Sequence, residues 1–426
     1  MKKPEKQDKA KPKGRGLDIL IEEIDDSMWV AAVENGHLSG LEVDPAAELV
    51  RWGSLYWAKV ARIDTAQDAA YVNIDGDNIG ILYNADVRVM GKDGKYKKGG
   101  DVAIGKLIQP GQMIAVQAKT GYFPRDPDDE RAEDKNPRLS MNIVLQGRYL
   151  MFAPTEGENK VSQRIRDKKM RKQLMGMLEK MNDCKGCILR SAAADTQTDI
   201  LTREAKILNL TWDQVQEFFV GDDPTLIMLG PDAIQRMLSD HAHQPVNRIE
   251  LTTMDYFQHA EEWCEVYAPD MVTKIQPVEL GDQNFELGLF DYRDIVQQID
   301  DLLQPYFVLP SGANLIIEET AALTAIDVNR GADDRSNMAI NTDAAVEIAR
   351  QLRLRNLGGV IMVDFLRMKD KNDYKTLQQA LDTAFNEGDA CTVQIHGMTN
   401  LGLMEISRQR RTPPLLDRYE SVVGGD

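Results

Sequence analysis

The chain has 426 residues, 42% of them hydrophobic, enough for about two to four domains with real cores. No apolar run approaches the roughly eighteen residues of a membrane span, the N-terminus lacks a signal-peptide core, and four cysteines are too few for a disulfide scaffold; a cytoplasmic protein is expected. A net charge of −17 argues against wholesale coating of nucleic acid but leaves room for a local basic channel, with Arg164–Lys172 and Arg350–Arg355 plus Arg408–Arg411 as candidates.

Residues 1–16, MKKPEKQDKAKPKGRG, read as a disordered basic tail. From Leu17, LDILIEEIDDSMWVAAVENGHLSGLEVD alternates and turns at Glu34-Asn35-Gly36, a hairpin signal within 17–52. Over 53–148, short β-rich runs divided by turns at Asp64–Asp68 and Asp75-Gly76-Asp77 predict a five-stranded OB barrel. Gly91–Gly100 is a Lys/Gly-rich loop inside it, and Arg125–Asn136 is an acidic insertion that would repel phosphate.

Residues 149–221 are mostly helical from Val161 on, with CILRSAA at 187–193 between helices. Cys184 and Cys187 have the spacing of half a zinc site, but no second pair lies near them, so zinc is not expected. Residues 222–304 return to an α/β pattern: the strand TLIMLG, a helix through Arg236–His241, the strand IELTT and a helix over Glu286–Leu303. His241-Ala242-His243 reads as a surface loop.

In 305–412, FVLPSGANLIIEETAALTAIDV carries a hairpin into a strand over Leu323–Asn329, which places Ala325, Asp327 and Asn329 on one face. A helix follows over Asp343–Leu357, Gly358-Gly359 is read as its stop, and Val360–Phe365 as a buried strand. Strand–helix–strand of this length predicts a right-handed parallel crossover, which would bring Asp327 and Asp364 to the same sheet edge. Two carboxylates side by side raise one another's pKa unless a cation neutralises them, and oxygen donors suit a hard ion such as Mg²⁺. Solvated strand-end acids are the alternative at this point. A last helix closes over Asp382–Cys391, Thr392–His396 is another strand, and 413–426 reads as a tail. No G-x-x-x-x-G-K-[ST] or G-x-G-x-x-G occurs, which disfavours a nucleotide-dependent enzyme.

The wording AIDVN, NTDAAVEIARQLRLRNLGG, VDF and EISRQR closely resembles the catalytic region of the bacterial ribonuclease E/G family, and the resemblance covers roughly residues 17–412. It implies an α+β multidomain fold: the OB-fold barrel inserted in a ribonuclease H-like subdomain, a helical 5′-sensor region and a deoxyribonuclease I-like α/β catalytic domain. The ribonuclease H-like part would be structural. It also implies that Asp327 and Asp364 hold Mg²⁺ (with Mn²⁺ an alternative) and that Asn329 assists. Tyr71 falls on an aromatic stacking position of the barrel and Lys119 on a phosphate contact, while Arg408 and Arg410 are placed to clamp the RNA backbone. Arg190-Ser191-Ala192 stands where the family binds a 5′-terminal monophosphate with Arg-Thr-Ala.

Departures are visible. Ile81 occupies a second position that is often aromatic, Thr392 stands where an arginine can assist the 5′ pocket, and the Arg330–Asn341 link is several residues shorter than usual. No cysteine pair follows residue 412, so any homodimer is expected to form without a zinc link. The resulting expectation is a Mg²⁺-dependent endoribonuclease specific for single-stranded RNA, leaving 5′-phosphate and 3′-hydroxyl ends in RNA maturation or decay. A non-catalytic RNA-binding protein of the same architecture is the rival.

Overall fold

The computed structural model describes residues 16–423 apart from 47, 92–93, 95, 123–135, 164, 166, 182–183 and 279–287, and apart from the side chains of 371, 387 and 420–423. The expected N-terminal tail, nearly all of the acidic insertion, part of the Lys/Gly-rich loop, and Arg164 and Arg166 of the first basic run lie outside the described residues.

Leu17–Ile24 (β1), Ser27–Glu34 (β2) and His37–Asp44 (β3) form an antiparallel meander. Asn35-Gly36 makes the expected turn. A second one, at Asp25-Asp26, was not anticipated because it has no glycine; φ is +47° and +55° at the two aspartates, the left-handed conformation that matches strand twist. Leu55–Asp64 (β4), Ala69–Asn73 (β5), Ile79–Tyr83 (β6), Met113–Ala118 (β7) and Arg138–Ser140 (β8) follow in sheet order β4-β5-β6-β8-β7, and β7 pairs back onto β4. This is a closed five-stranded barrel of OB type, filled by Val60, Val72, Leu82, Ile114, Val116 and Leu139.

Lys168–Leu178 (α1) starts on Asp167, whose side chain accepts from the Met170 N–H. Cys187–Leu189 (β9) and Thr198–Gln216 (α2) complete the helical region. The next strand, Thr225–Met228 (β10), pairs antiparallel with β4, so TLIMLG extends the barrel instead of opening the second half of the first sheet. That sheet is completed after Ala233–Asp240 (α3) by Val246–Leu251 (β11) and, after Met254–Tyr267 (α4), by Ile275–Pro277 (β12), giving the order β12-β11-β1-β2-β3 with β11 parallel to β1. The helix expected over Glu286–Leu303 is resolved as two, Leu289–Tyr292 (α5) and Val296–Leu303 (α6), separated at Asp294, where φ is +55°. Ile19, Ile21, Val30 and Ala32 pack against α3 and α4, while Leu20, Trp29, Ala31 and Val33 pack against α5 and α6. With both faces covered, the strands read as nearly continuous apolar runs.

The last layer contains Tyr306–Val308 (β13), Asn314–Glu319 (β14), Thr324–Asn329 (β15), Asn337–Leu354 (α7), Gly359–Asp364 (β16), Lys371–Gly388 (α8), Val393–Met398 (β17) and Met404–Arg408 (β18). The sheet order is β13-β14-β15-β16-β18-β17. Ile348, Leu352, Leu377, Leu381 and Phe385 of α7 and α8 cover one face, against Ile326, Val328, Ile361 and Val363; the other face carries Asp327, Val360 and Asp364 and is exposed. α7 begins six residues earlier than expected, where the Ser336 side chain accepts from the Ala339 N–H at 3.3 Å. It ends at Leu354 with Asn356, φ +51°, as the left-handed residue, so the stop is Asn356 and not Gly358-Gly359. The Asn356 amide donates to the Thr412 carbonyl at 2.6 Å and fixes that end. The expected tail is a docked helix, Leu415–Val423 (α9): Leu415 is buried and Tyr419 meets Trp29 edge-on. Among the described residues no helix is long and apolar enough to cross a membrane.

Where β3, α3, α9 and the barrel meet, charges are paired out of water. Arg236, buried, donates to Glu42 at 2.9 Å and to Asp44 at 2.7 Å; Arg418 lies 3.8 Å from Glu42 and donates to the Val43 carbonyl. Removing one partner leaves the others charged and desolvated. Arg236→Met is therefore expected to destabilise the chain by about 3–5 kcal/mol, read as a lower urea midpoint. Glu204, buried, is pushed up to about 7 by burial although it accepts from the Tyr149 and Leu150 N–H groups at 2.9 and 3.1 Å. Glu48 is pushed up to about 7 by burial and by Asp44. The folded state then holds protons that the unfolded chain releases above about 4.5, so stability falls as pH rises toward 7. Glu204→Gln should remove part of that fall, checked by denaturation midpoints across the same pH range.

Candidate active site

β15 and β16 pair in parallel with Asp327 directly opposite Asp364, as the crossover predicts. Adjacent strands are spaced about 4.8 Å apart, which sets the two exposed carboxylates side by side at the open edge. Asp327 accepts from the Asn329 amide at 2.8 Å. Among the described residues neither aspartate has a cationic partner. Nor is there a cluster of three or more His, Cys, Asp or Glu side chains that could hold a metal. What the site offers is two hard oxygen donors facing water, a set that fits an ion which keeps several waters, as Mg²⁺ does.

Both connections around this pair are held by α7. Beyond Asp364, the buried Asn341 accepts from the Leu366 N–H at 3.0 Å and donates to the Leu366 carbonyl at 2.8 Å, and Asn337 donates to the Arg367 carbonyl at 2.8 Å. Beyond Asn329, the Arg330 guanidinium donates to the Asp333 and Arg335 carbonyls and to the Asn337 side chain. Arg335 in turn pairs with Asp333 and Asp343, each at 2.7 Å, and holds the Asp333 carboxyl well below the usual carboxylate range. The short Arg330–Asn341 link is thus cross-braced. Asn337 and Asn341 were missed in the sequence; their signal is a pair of amides four residues apart in the first turns of a helix facing a strand end.

The arginines expected to clamp RNA are elsewhere. β18 runs antiparallel to β16 with Arg408 beside Gly359, five strand residues or about 16 Å from Asp364. Arg408 is buried and donates to both Asp389 oxygens, at 2.6 and 3.0 Å, and to the Leu357 carbonyl at 2.7 Å. A phosphate cannot reach it, so the clamp assignment is corrected. Arg410, half-exposed, sits at that same far end, 3.4 Å from Glu319. The Arg350–Arg355 cluster is likewise internal: Arg350 donates to the Leu38 carbonyl, Arg353 to Ser39, and Arg355 to Gln351 and Gln304. These contacts fasten α7 to β3 and to the end of α6. Arg367, exposed three residues after Asp364 and with no partner for its guanidinium among the described residues, is the cation that sequence reasoning overlooked there.

On the outer barrel face, Arg62, Tyr71, Ile81 and Arg138 stand opposite one another across β4, β5, β6 and β8. Arg62 lies 3.6 Å over the Tyr71 ring, and Arg138 5.1 Å from the Tyr83 ring. Tyr71 is where the sequence placed it; Ile81, its buried neighbour, gives no second ring. Arg62 was missed because an irregularity between Val60 and Arg62 breaks the alternation that assigns faces in β4; Tyr83 and Arg138 lie on other strands and were not singled out. Lys119 is half-exposed and paired with both Asp86 oxygens at 3.0 Å.

Arg190 donates to Asp240 at 3.0 Å, and Arg411 grips the same carboxylate, with a second donor on its other oxygen. Burial pushes the Asp240 carboxyl up, but Arg411 and Arg190 override it and hold it well below the usual range. Ser191 is exposed beside Arg190, and its hydroxyl has no partner among the described residues. Thr392 is exposed and bonds Gln409 through its carbonyl. Cys184 and Cys187 are buried, and burial pushes the Cys187 thiol up to about 12, an environment opposed to a thiolate ligand. His241-Ala242-His243 form the turn that follows α3, as expected, with His243 exposed; His241, at the helix C-terminus, bonds the Met237 carbonyl and is lowered to about 4 by burial.

Comparison with known proteins supplies the remaining finding. A model of the ribonuclease E/G family matches residues 144–411. The ribonuclease G proteins of Salmonella typhimurium and Escherichia coli are each 30% identical over 406 residues, which is 92% of this chain and 80% of theirs. Ribonuclease E of a Nostoc species is 30% identical over 368 residues, 84% of this chain and 51% of that protein.

The bonds around Asp364 make Asn341 a positioning residue. Asn341→Ala should leave the half-buried N–H and C=O of Leu366 without their side-chain partner and cost about 1–2 kcal/mol, measured by urea unfolding. Turnover should fall with little change in KM.

Proposed function

The chain belongs to the ribonuclease E/G family and is an endoribonuclease; on that footing we propose that Asp327 and Asp364 form its catalytic centre by holding a divalent ion, Mg²⁺ by donor type. The observation that carries this is the in-register parallel pair of exposed aspartates, without a cationic partner among the described residues. When bound, such an ion lowers the pKa of a coordinated water and offsets charge building up on a phosphate. The chain's own part is to keep the two carboxylates adjacent, to orient Asp327 through the Asn329 amide, and to exclude movement of both strand ends through Asn337 and Asn341. Arg367, exposed and with no acidic partner among the described residues, would supply a cation for a neighbouring phosphate. The products would carry 5′-phosphate and 3′-hydroxyl ends.

Substrate is single-stranded RNA in this reading. The barrel face offers Tyr71 as a ring for base stacking, with Arg62 and Arg138 in the same row and Lys119 at its side. Arg190 and Ser191 would read a 5′-monophosphate, Ser191 through its free hydroxyl and Arg190 through the part of its fork not given to Asp240. The first sheet, with order β12-β11-β1-β2-β3, suits a ribonuclease H-like subdomain, and the layer bearing the aspartates suits the deoxyribonuclease I-like assignment.

Asp327→Asn and Asp364→Asn are each expected to lose cleavage by at least about 100-fold while RNA binding measured in EDTA is unchanged; retained cleavage in either would remove the assignment. Cutting by the wild type should require Mg²⁺ and stop in EDTA. With 5′-monophosphate and 5′-hydroxyl versions of one RNA, Arg190→Gln should bring the ratio of the two rates toward one.

A further inference from the structure

Arginines in this chain are mostly committed to internal partners, as Arg190, Arg236, Arg355, Arg408 and Arg411 show. The α1–α2 unit is different. A groove of about 830 Å³ runs between the end of α1 and one side of α2, lined by Lys180, Arg203 and Lys206 together with Asp199, Ile207 and Leu210. Asp199, Arg203, Lys206 and Leu210 recur at helical spacing on one stripe of α2, while Leu201, Ala205, Leu208 and Trp212 fill the buried stripe. Among the described residues none of the three cations has an acidic partner. Leu210 is 62% exposed. On α1, Lys168, Lys169 and Lys172 of the RIRDKKMRK run are exposed and have no acidic partner among the described residues, whereas Arg171 donates to the Ser162 and Ile165 carbonyls.

We infer that this groove is a second RNA-contact surface, in which a single strand lays phosphates on Lys180, Arg203 and Lys206 and sets a base against Ile207 and Leu210. In a chain of net charge −17, a local run of unpaired cations is complementary to a polyanion, and the chain's substrate is one. Cations beside an apolar strip match the two halves of a nucleotide. The surface is rigidly joined to Arg190 and Ser191: one short turn, Ser191–Asp195, leads into α2, and Gln173 of α1 donates to the Ala194 carbonyl at 2.6 Å. The inference does not depend on the aspartate pair or on 5′-end reading.

The test is RNA binding in EDTA by the Asp364→Asn protein, which separates it from any question of cleavage. Fluorescence anisotropy of a labelled 5′-hydroxyl oligouridylate of about 25 nucleotides would be followed between about 50 and 200 mM salt. Adding Lys180→Gln, Arg203→Gln and Lys206→Gln together should weaken binding at low salt and reduce the slope of log K against log salt by about 2, since each phosphate contact on a single strand contributes about 0.7. Asp199→Asn should tighten it. Should the triple variant lose its fold by circular dichroism, the single Lys180→Gln and Lys206→Gln proteins should each lower the slope by about 0.7. An unchanged slope overturns the proposal. So does capture of labelled polyglutamate that the triple variant loses while RNA binding stays intact, which would assign the groove to an acidic protein.

Discussion

Parallel pairing of β15 with β16 fixes the distance between Asp327 and Asp364, and everything around the site serves to keep that pairing in register. Two parallel strands cannot be joined by a tight turn; the chain must cross over, and here the crossover is α7. That helix does three jobs along its length. Its first turns bond the backbone on both sides of the carboxylates through Asn337 and Asn341, its middle covers the sheet with Ile348 and Leu352, and its last turns fasten to β3 through Arg350 and Arg353. A shift of the first sheet would therefore be felt at the aspartates through one stiff element.

The aspartate pair was legible because alternation in a strand and helical spacing in its successor are local properties, and together they dictate the topology. What was not legible depended on direction and register. The run EISRQRR looks like a basic end near the site until β18 is seen to run antiparallel, which carries Arg408 away from Asp364 and into the core. Arg62 is obscured by an irregular strand, and TLIMLG, a short apolar run, carries no mark to say which of two sheets it joins. α9 was read as a tail because Leu415 and Tyr419 find their partner, Trp29, nearly four hundred residues away.

The acidic balance of the chain coexists with RNA chemistry because its positive charge is divided into two populations. One is buried and reciprocally paired, as in the alternation of Arg411, Glu42, Arg236 and Asp44 at the junction of β3, α3 and α9. This set welds domains and is indifferent to solvent ions. The other is at the surface, where Arg367, Arg62 and Arg138 stand, and its attraction for phosphate is subject to salt.

The addition of β10 to the barrel has a consequence for how such a protein can be altered. The β4 edge of the barrel is sealed by a segment that begins 85 residues after the end of the barrel's last strand, Ser140 to Thr225, and continues at once into α3 beside the first sheet. The barrel is consequently not a cassette. Exchanging the five barrel strands for another barrel would leave Thr225–Met228 without its hydrogen-bonding edge unless the newcomer offered a matching β4, so recombination at the ends of the barrel is disfavoured against point substitution within it.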